Sequence, residues 1–208
     1  MYLFMSIDFN YNYQLENDVV LLKPLVKDDF DFLLPYALLE PELWKFSSVS
    51  AAGANGMQAY IDQATQARLQ QKEYAFIVYD KRSETYAGST RFYDIQNDNQ
   101  TLQLGYTWYG NAYQGTGLNK NCKLLLLSLA FDELKFERVE FRADVLNEKS
   151  VAAMKSIGCK AEGILRCNMP KANGGRRDSI VLSILKHEWQ NGVKEALQHK
   201  LSERKSSL

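Results

Sequence analysis

The hydrophobic and polar positions along this chain change period several times, and each change marks a predicted element. Residues 19 to 25, "VVLLKPL", form a short apolar run and predict a first strand. In "KDDFDFLLPYALLEPELWKF", Phe30, Leu33 and Leu34 recur at helical spacing, and Asp28 or Asp29 stands where a helix cap belongs. Pro35 and Pro41 should break this stretch into short helices, because proline removes a helical N–H and crowds the preceding turn. In "ANGMQAYIDQATQARLQQ", Tyr60, Ile61, Ala64, Ala67 and Arg68 lie three and four apart, the stripe of a surface helix.

Three strand-like runs follow, "EYAFIVYD", "YAGSTRFYDI" and "TLQLGYTWYG". Aromatic and β-branched residues dominate them, and the polar joints "KRSET" and "QNDNQ" suit an antiparallel meander. "LNKNCKLLLLSLAFDELK" predicts a helix apolar enough to be covered on most sides. "RVEFRADV" is then a strand, "NEKSVAAMKSIG" a helix stopped by Gly158, and "CKAEGILRCNM" a strand. "PKANGGRR" turns the chain into a returning strand, "DSIVLSIL". Trp189, Val193, Leu197 and Leu201 are four apart, one stripe on a last helix. Helices enter singly between strands in the second half, so the expected fold is α/β, with a mixed sheet covered on both faces.

Composition narrows this picture. The 208 residues suit a single domain, with a core over about 19–187 and a C-terminal helical extension over 189–205. Hydrophobic residues make up 46%, and Lys plus Arg equals Asp plus Glu at 25 each. With no basic excess, neither a nucleic-acid nor a membrane-surface partner is expected, and a small-molecule or protein substrate fits better. Cys122, Cys159 and Cys167 show no CxxC spacing, which suits a reducing cytosol. With only His187 and His199 beside them, no metal site is expected. No apolar stretch reaches the ~20 residues of a membrane helix. The opening "MYLFMSIDFNYNYQ" contains Asp8 and lacks a basic flank, so a soluble cytoplasmic protein is expected.

The candidate chemistry centres on "YQGTGLNK", residues 113 to 120. A helix N-terminus presents unpaired N–H groups and a partial positive charge, and glycine lets backbone approach an oxygen closely. Gly115 and Gly117 stand where the helix should begin, and Lys120 adds a cation in its first turn. Two glycines alone also serve an ordinary turn. The run is neither a Walker loop nor a dinucleotide fingerprint.

Downstream, "DVLNEKSVAAMKSIGCKAEGILR" supplies a second block with Asn147, Ser150, Gly158, Glu162 and Gly163. Asn147 can cap its helix, with Ser150 as partner. With both blocks and the order of elements, the chain resembles the GNAT superfamily of acetyl-coenzyme A-dependent N-acetyltransferases over about residues 19 to 187. The likeness is to the branch that includes ribosomal-protein N-terminal acetyltransferases. It implies a mostly antiparallel sheet of about six to seven strands with helices on both faces.

The resemblance also implies acetyl-coenzyme A as acyl donor, no metal, and direct attack by a primary amine within a ternary complex. The amine would belong to a small molecule or a protein N-terminus, and the enzyme would be a monomer or homodimer. Gln114, Gly115, Thr116, Gly117, Leu118, Asn119 and Lys120 would hold the pyrophosphate, and Asn147 the pantetheine arm. Ser150 would lie near the departing thiolate, with Tyr106 and Tyr109 as further polar groups near a cleft lined by residues 103 to 109 and 140 to 145. Ser150 and Tyr106 are thus the candidate catalytic residues.

Four positions depart from the family pattern. Asn119 brings a side chain where almost none is usual, and Cys159 replaces a common Phe. Gln103 stands where relatives often carry a basic Glu, and Met154 where some carry a Tyr that protonates the thiolate. Asp94, Glu140 and Asp144 are alternative bases, or solvated strand charges. Glu40, Glu42 and Trp44 could receive an amine, though a helix with one buried Trp is the plainer expectation. Asp178 is expected to be structural and the three cysteines to be packed thiols. A non-catalytic acyl-coenzyme A sensor on the same fold is the alternative reading.

Overall fold

The structure, a computed structural model, describes residues 6–47, 49–171 and 174–205. Eight strands form one sheet: β1 (Leu15–Glu16), β2 (Val20–Pro24), β3 (Tyr74–Asp80), β4 (Thr85–Gln96), β5 (Thr101–Tyr109), β6 (Arg138–Asp144), β7 (Lys160–Pro170) and β8 (Arg176–Leu185). Their spatial order is β1-β2-β3-β4-β5-β6-β8-β7. Every pairing is antiparallel except β5 with β6. Seven of these strands follow from the hydrophobic pattern. The eighth is β1, whose two residues pair Leu15 with Leu22 and Glu16 with Leu21, too few for alternation to register.

Helices α1 (Phe30–Leu39) and α2 (Gly53–Leu69) cover one face, where Leu33, Ala37, Trp44, Met57, Tyr60 and Ile61 form a core with Ile77 and Trp108. Contrary to the expectation from Pro35, α1 continues through that residue. Leu33 and Ala37 are buried on either side of it, so packing outweighs the lost backbone hydrogen bond. Pro41 does open a separate turn, Pro41–Trp44. Asp29 precedes α1, but its carboxylate turns back to accept the Val26 N–H at 3.0 Å and pair with Lys23 at 3.3 Å.

The opposite face is covered by α3 (Leu118–Ser128) and the C-terminal helix (Lys194–Lys205). Leu118, Cys122, Leu126, Leu127 and Phe131 are almost fully buried against Phe76, Phe92 and Leu104. The expected single stripe from Trp189 to Leu201 is instead divided, because Asn191 and Gly192 leave helical geometry, Gly192 with φ 125°. Trp189 packs on Phe131, with ring centroids 5.7 Å apart, and its indole N–H reaches Asp132 at 3.1 Å. Leu197 then buries separately in the next helix. The short helix α4 (Glu148–Ser156) lies between β6 and β7. In the turn between β7 and β8, residues 172 and 173 lie outside the described residues, while Gly174 and Gly175 both have positive φ.

The sheet is open at its centre. β5 pairs with β6 only at Thr101–Arg138, Leu102–Val139 and Gln103–Glu140. Beyond Gln103 the two parallel strands diverge, while β6 keeps its full register with β8 as far as Asp144–Ser179. The result is a fork with β5 on one arm and β6 on the other, and α3 starts at the far end of the β5 arm.

Candidate active site

The loop after β5 passes through a single turn, Asn111–Tyr113, and then reverses direction at two glycines. Gly115 has φ 73° and Gly117 φ 88°, left-handed values that other residues adopt at a cost. A Cβ on Gly115 would meet nothing within 4 Å, so backbone conformation rather than crowding requires glycine there. Gly117 is the N-cap of α3, and the first-turn amides behind it have no carbonyl one turn earlier to accept them. Gln114 and Gly115 are exposed, and Asn119 and Lys120 half-buried. The loop is held from behind: the Thr116 hydroxyl donates to Tyr113 O at 2.7 Å, and Gln114 Nε2 to Tyr109 O at 3.2 Å. Asn17 Nδ2 donates to Asn121 Oδ1 at 2.9 Å, and Asn121 Nδ2 to Gly117 O at 3.1 Å.

Asn119, the departure from the family pattern, has its side chain turned back toward β5. Its Oδ1 accepts the hydroxyl of Tyr109 at 3.2 Å. Tyr109 is buried, and that burial drives its pKa well up, so it stays a donor. A second cation, which sequence reasoning missed, flanks the loop. Arg82, between β3 and β4, donates from Nη1 to Thr116 O at 3.3 Å while its other nitrogens clamp Asp80 at 2.6 and 2.9 Å. Nothing in "KRSET" distinguishes it from a surface arginine, because its proximity depends on pairing 34 residues apart. The amides of Asn119 and Lys120, two glycine turns, the Lys120 ammonium and Arg82 together make a donor set that fits a pyrophosphate, while the Leu118 N–H donates to the Thr116 hydroxyl at 3.4 Å.

On the β6 arm, Asn147 caps α4: its Oδ1 accepts the Ser150 N–H at 3.1 Å. Asp144, at the end of β6, is buried, paired with Lys171 at 3.1 Å, and accepts the Leu146 N–H at 3.0 Å. It therefore builds the turn into α4 and is not available as a base. Glu140 is likewise committed, between Arg142 at 2.6 Å and Arg138 at 2.8 Å. Of the three alternative bases only Asp94 has no cation partner among the described residues. It is exposed, and its Oδ2 accepts Gln103 Nε2 at 2.7 Å, so the amide that replaces the usual Glu is bonded to a carboxylate.

On the β5 arm the register with β4 slips: Ser89 faces Trp108 and Arg91 faces Gly105, so two residues oppose Thr90. This bulge puts Tyr106 at φ 47°, an uncommon conformation for an aromatic residue. Tyr106 is held there by the fully buried Arg91, whose guanidinium lies 4.4 Å from its ring centroid and 5.0 Å from that of Tyr60. Arg91 Nη1 in turn binds Glu73 at 2.5 Å. Burial raises the Tyr106 pKa, so its phenol stays protonated. The bulge also turns Thr107 outward, exposed on the side of α3.

Trp44 is buried against Trp108, with ring centroids 4.9 Å apart, and Glu40 accepts the Asn111 N–H at 2.7 Å. Asp178 Oδ1 accepts the Cys167 N–H at 2.7 Å, a structural contact. Burial pushes the thiols of Cys122 and Cys159 up to about 12, which makes poor nucleophiles of both. Among the described residues no His, Cys, Asp and Glu cluster could hold a metal, and no helix is long and apolar enough to cross a membrane.

Comparison with known proteins agrees with this geometry. Residues 20–160 match the family described as the acetyltransferase (GNAT) domain. A Bacillus subtilis (strain 168) protein named as a ribosomal N-acetyltransferase, YdaF, is 33% identical over 103 residues, 50% of this chain. The match spans 55% of that relative's own length. A GCN5-related N-acetyltransferase from Brucella melitensis superposes with TM-score 0.84 at 24% identity, over 92% of this chain and 86% of that one. The microcin C7 self-immunity acetyltransferase MccE, solved with acetyl-coenzyme A and AMP, has TM-score 0.73 at 23% identity, over 81% and 93% of the two chains. The forked sheet and the sequence match lead to one conclusion: this chain belongs to the GNAT acetyltransferase family, whose acyl donor is acetyl-coenzyme A.

Proposed function

We propose that this chain transfers acetyl to a primary amine, of a small molecule or a protein N-terminus, by direct attack in a ternary complex. The observation that carries this reading is the junction of the glycine loop with the open fork between β5 and β6. Bound there, acetyl-coenzyme A supplies an activated thioester. The loop of residues 114–120, with the Lys120 ammonium, would hold its pyrophosphate, and Asn147 and Ser150 would flank its arm. Tyr106, fixed over Arg91, offers a phenolic donor at the fork. Asp94, oriented by Gln103, is the carboxylate best suited to take the proton of the amine. The two buried thiols, both held protonated, favour direct transfer over a covalent acetyl-enzyme. The relative named as a ribosomal acetyltransferase supports a protein N-terminus as one acceptor class.

A thermal-shift titration tests the reading. Acetyl-coenzyme A should raise Tm, and Gly117→Glu, which sets a charge and a side chain at the α3 N-cap, should abolish the rise. The absence of any rise at saturating acetyl-coenzyme A would refute the proposal. Thiol release with amines and N-terminal peptides then identifies the acceptor, and a protein that binds without turnover would be a sensor.

A further inference from the structure

The described core holds an ammonium group with no carboxylate partner among the described residues. Lys123, on α3, is 3% exposed, and its Nζ donates to Thr107 Oγ1 at 2.8 Å and to Thr90 Oγ1 at 3.2 Å. The two hydroxyls lie 2.7 Å from each other, so ammonium and threonines form one closed triangle of hydrogen bonds. The titratable groups facing Lys123 are the thiols of Cys122, on its own helix, and Cys159, at the junction of α4 and β7. A buried cation without an anion is costly, so its retention calls for a reason beyond packing.

Thr107 supplies one. It is the residue that the β5 bulge turns outward, and it is exposed on the unpaired stretch of the fork. Lys123 therefore stands buried behind an exposed residue on the unpaired stretch of β5, bonded to its hydroxyl. The residue at which some relatives place a proton-donating Tyr is here Met154, a side chain with no proton to give.

We propose that Lys123, acting through the Thr107 hydroxyl, supplies the proton required by the thiol that leaves during acetyl transfer. The inference rests on the acetyl-transfer reading. As the C–N bond forms and the C–S bond breaks, the sulfur keeps the electron pair. Thr107 gives its hydroxyl proton to that sulfur and takes one from Lys123, which is left as a neutral amine. The proton lost by the attacking amine passes to Asp94 and from there to solvent, and solvent reprotonates Lys123 through Thr107. Burial pulls Lys123 down to about 8, which makes it a far stronger acid than an exposed lysine and leaves it charged at neutral pH.

The test reads a property of a binary complex, without turnover. The thiol of coenzyme A bound to the protein is titrated by ultraviolet thiolate absorbance, as a difference from coenzyme-free protein at each pH. In the wild type below about pH 8, where Lys123 keeps its proton, bound coenzyme A should show a thiolate fraction about tenfold or more above that of free coenzyme A, because a cation lies behind the thiol. Lys123→Met should return it to the value of free coenzyme A. A bound thiol that titrates like free coenzyme A in the wild type overturns the proposal even if the variant fails to fold, and so does a raised thiolate fraction that survives in Lys123→Met. Thr107→Val, at an exposed site, should lower kcat about 100-fold with KM for acetyl-coenzyme A unchanged. Full kcat in that variant overturns the relay. Failure of the wild type to bind coenzyme A would instead overturn the acetyl-transfer reading, and the relay with it.

Discussion

Replacing Lys123 by methionine tests the buried cation through stability alone. Burial lowers the lysine from its ordinary 10.5 to about 8, because desolvation penalises the ammonium and the two neighbouring thiols offset only part of that. Each pH unit by which the lysine is lowered corresponds to about 1.4 kcal/mol, so the folded state carries a penalty of ~3 kcal/mol while Lys123 is charged. The sign follows from proton counting. Between pH 8 and pH 10.5 the unfolded chain holds a proton on this lysine that the folded chain has released, so the lysine's contribution to stability rises with pH. Below pH 8 the penalty is present in full, and above pH 10.5 it is gone.

Methionine has nearly the same length and no charge, and Thr90 and Thr107 can still bond to each other at the site. Urea unfolding of wild type and Lys123→Met, without cofactor, from about pH 7 to about pH 10 isolates the effect. Cys122 and Cys159 titrate in both proteins, so to first order they cancel in the difference. The stability of the wild type relative to the variant should climb by roughly 2 kcal/mol across that range. The hydrogen bonds lost in the variant change the offset between the two curves and not their slope. A difference that stays flat with pH would refute the buried, depressed lysine, whatever the absolute stabilities.

Three further outcomes follow from the site. Asn119→Gly should leave the dissociation constant for acetyl-coenzyme A within about threefold, since Tyr109 already holds that side chain back, whereas Tyr109→Phe should weaken binding by releasing it. Isothermal titration of both variants decides this, and a marked gain of affinity in Asn119→Gly would show that Asn119 obstructs the loop. Asp94→Asn should reduce kcat by about 100-fold near neutral pH with little change in KM for acetyl-coenzyme A, and undiminished turnover would remove Asp94 from the reaction. Alkylation of the native protein at neutral pH should label the exposed Cys167 and spare Cys122 and Cys159; equal labelling in a peptide map would contradict their burial.

The strands and helices with clear periodicity were legible in the sequence, as was the placing of Gly115 and Gly117 at the start of α3. β1 was not, because two residues hold no pattern, and its place comes from pairing with β2. Pro35 misled because a local penalty of a few kcal/mol is smaller than what packing around Leu33 and Ala37 returns. At the site, the departures Gln103, Asn119 and Met154 could be named, but what surrounds Gln103 and Asn119 depends on how neighbouring elements pair and pack. Gln103 lies against Asp94 only because β4 and β5 pair, and Asn119 is turned back by Tyr109, ten residues earlier. Lys123 carried no signal at all. Within "NCKLLLL" a lysine looks like the wet side of a helix, and only the bulge that aims Thr107 places it behind the fork.

Whether the glycine loop and the fork form one cofactor site is tested most directly by a crystal structure of the protein with coenzyme A. Pyrophosphate oxygens should lie within hydrogen-bond distance of the amides of residues 115–120, with the pantetheine arm running between β5 and β6 toward Thr107. Coenzyme A bound elsewhere, with those amides facing only solvent, would contradict a single site.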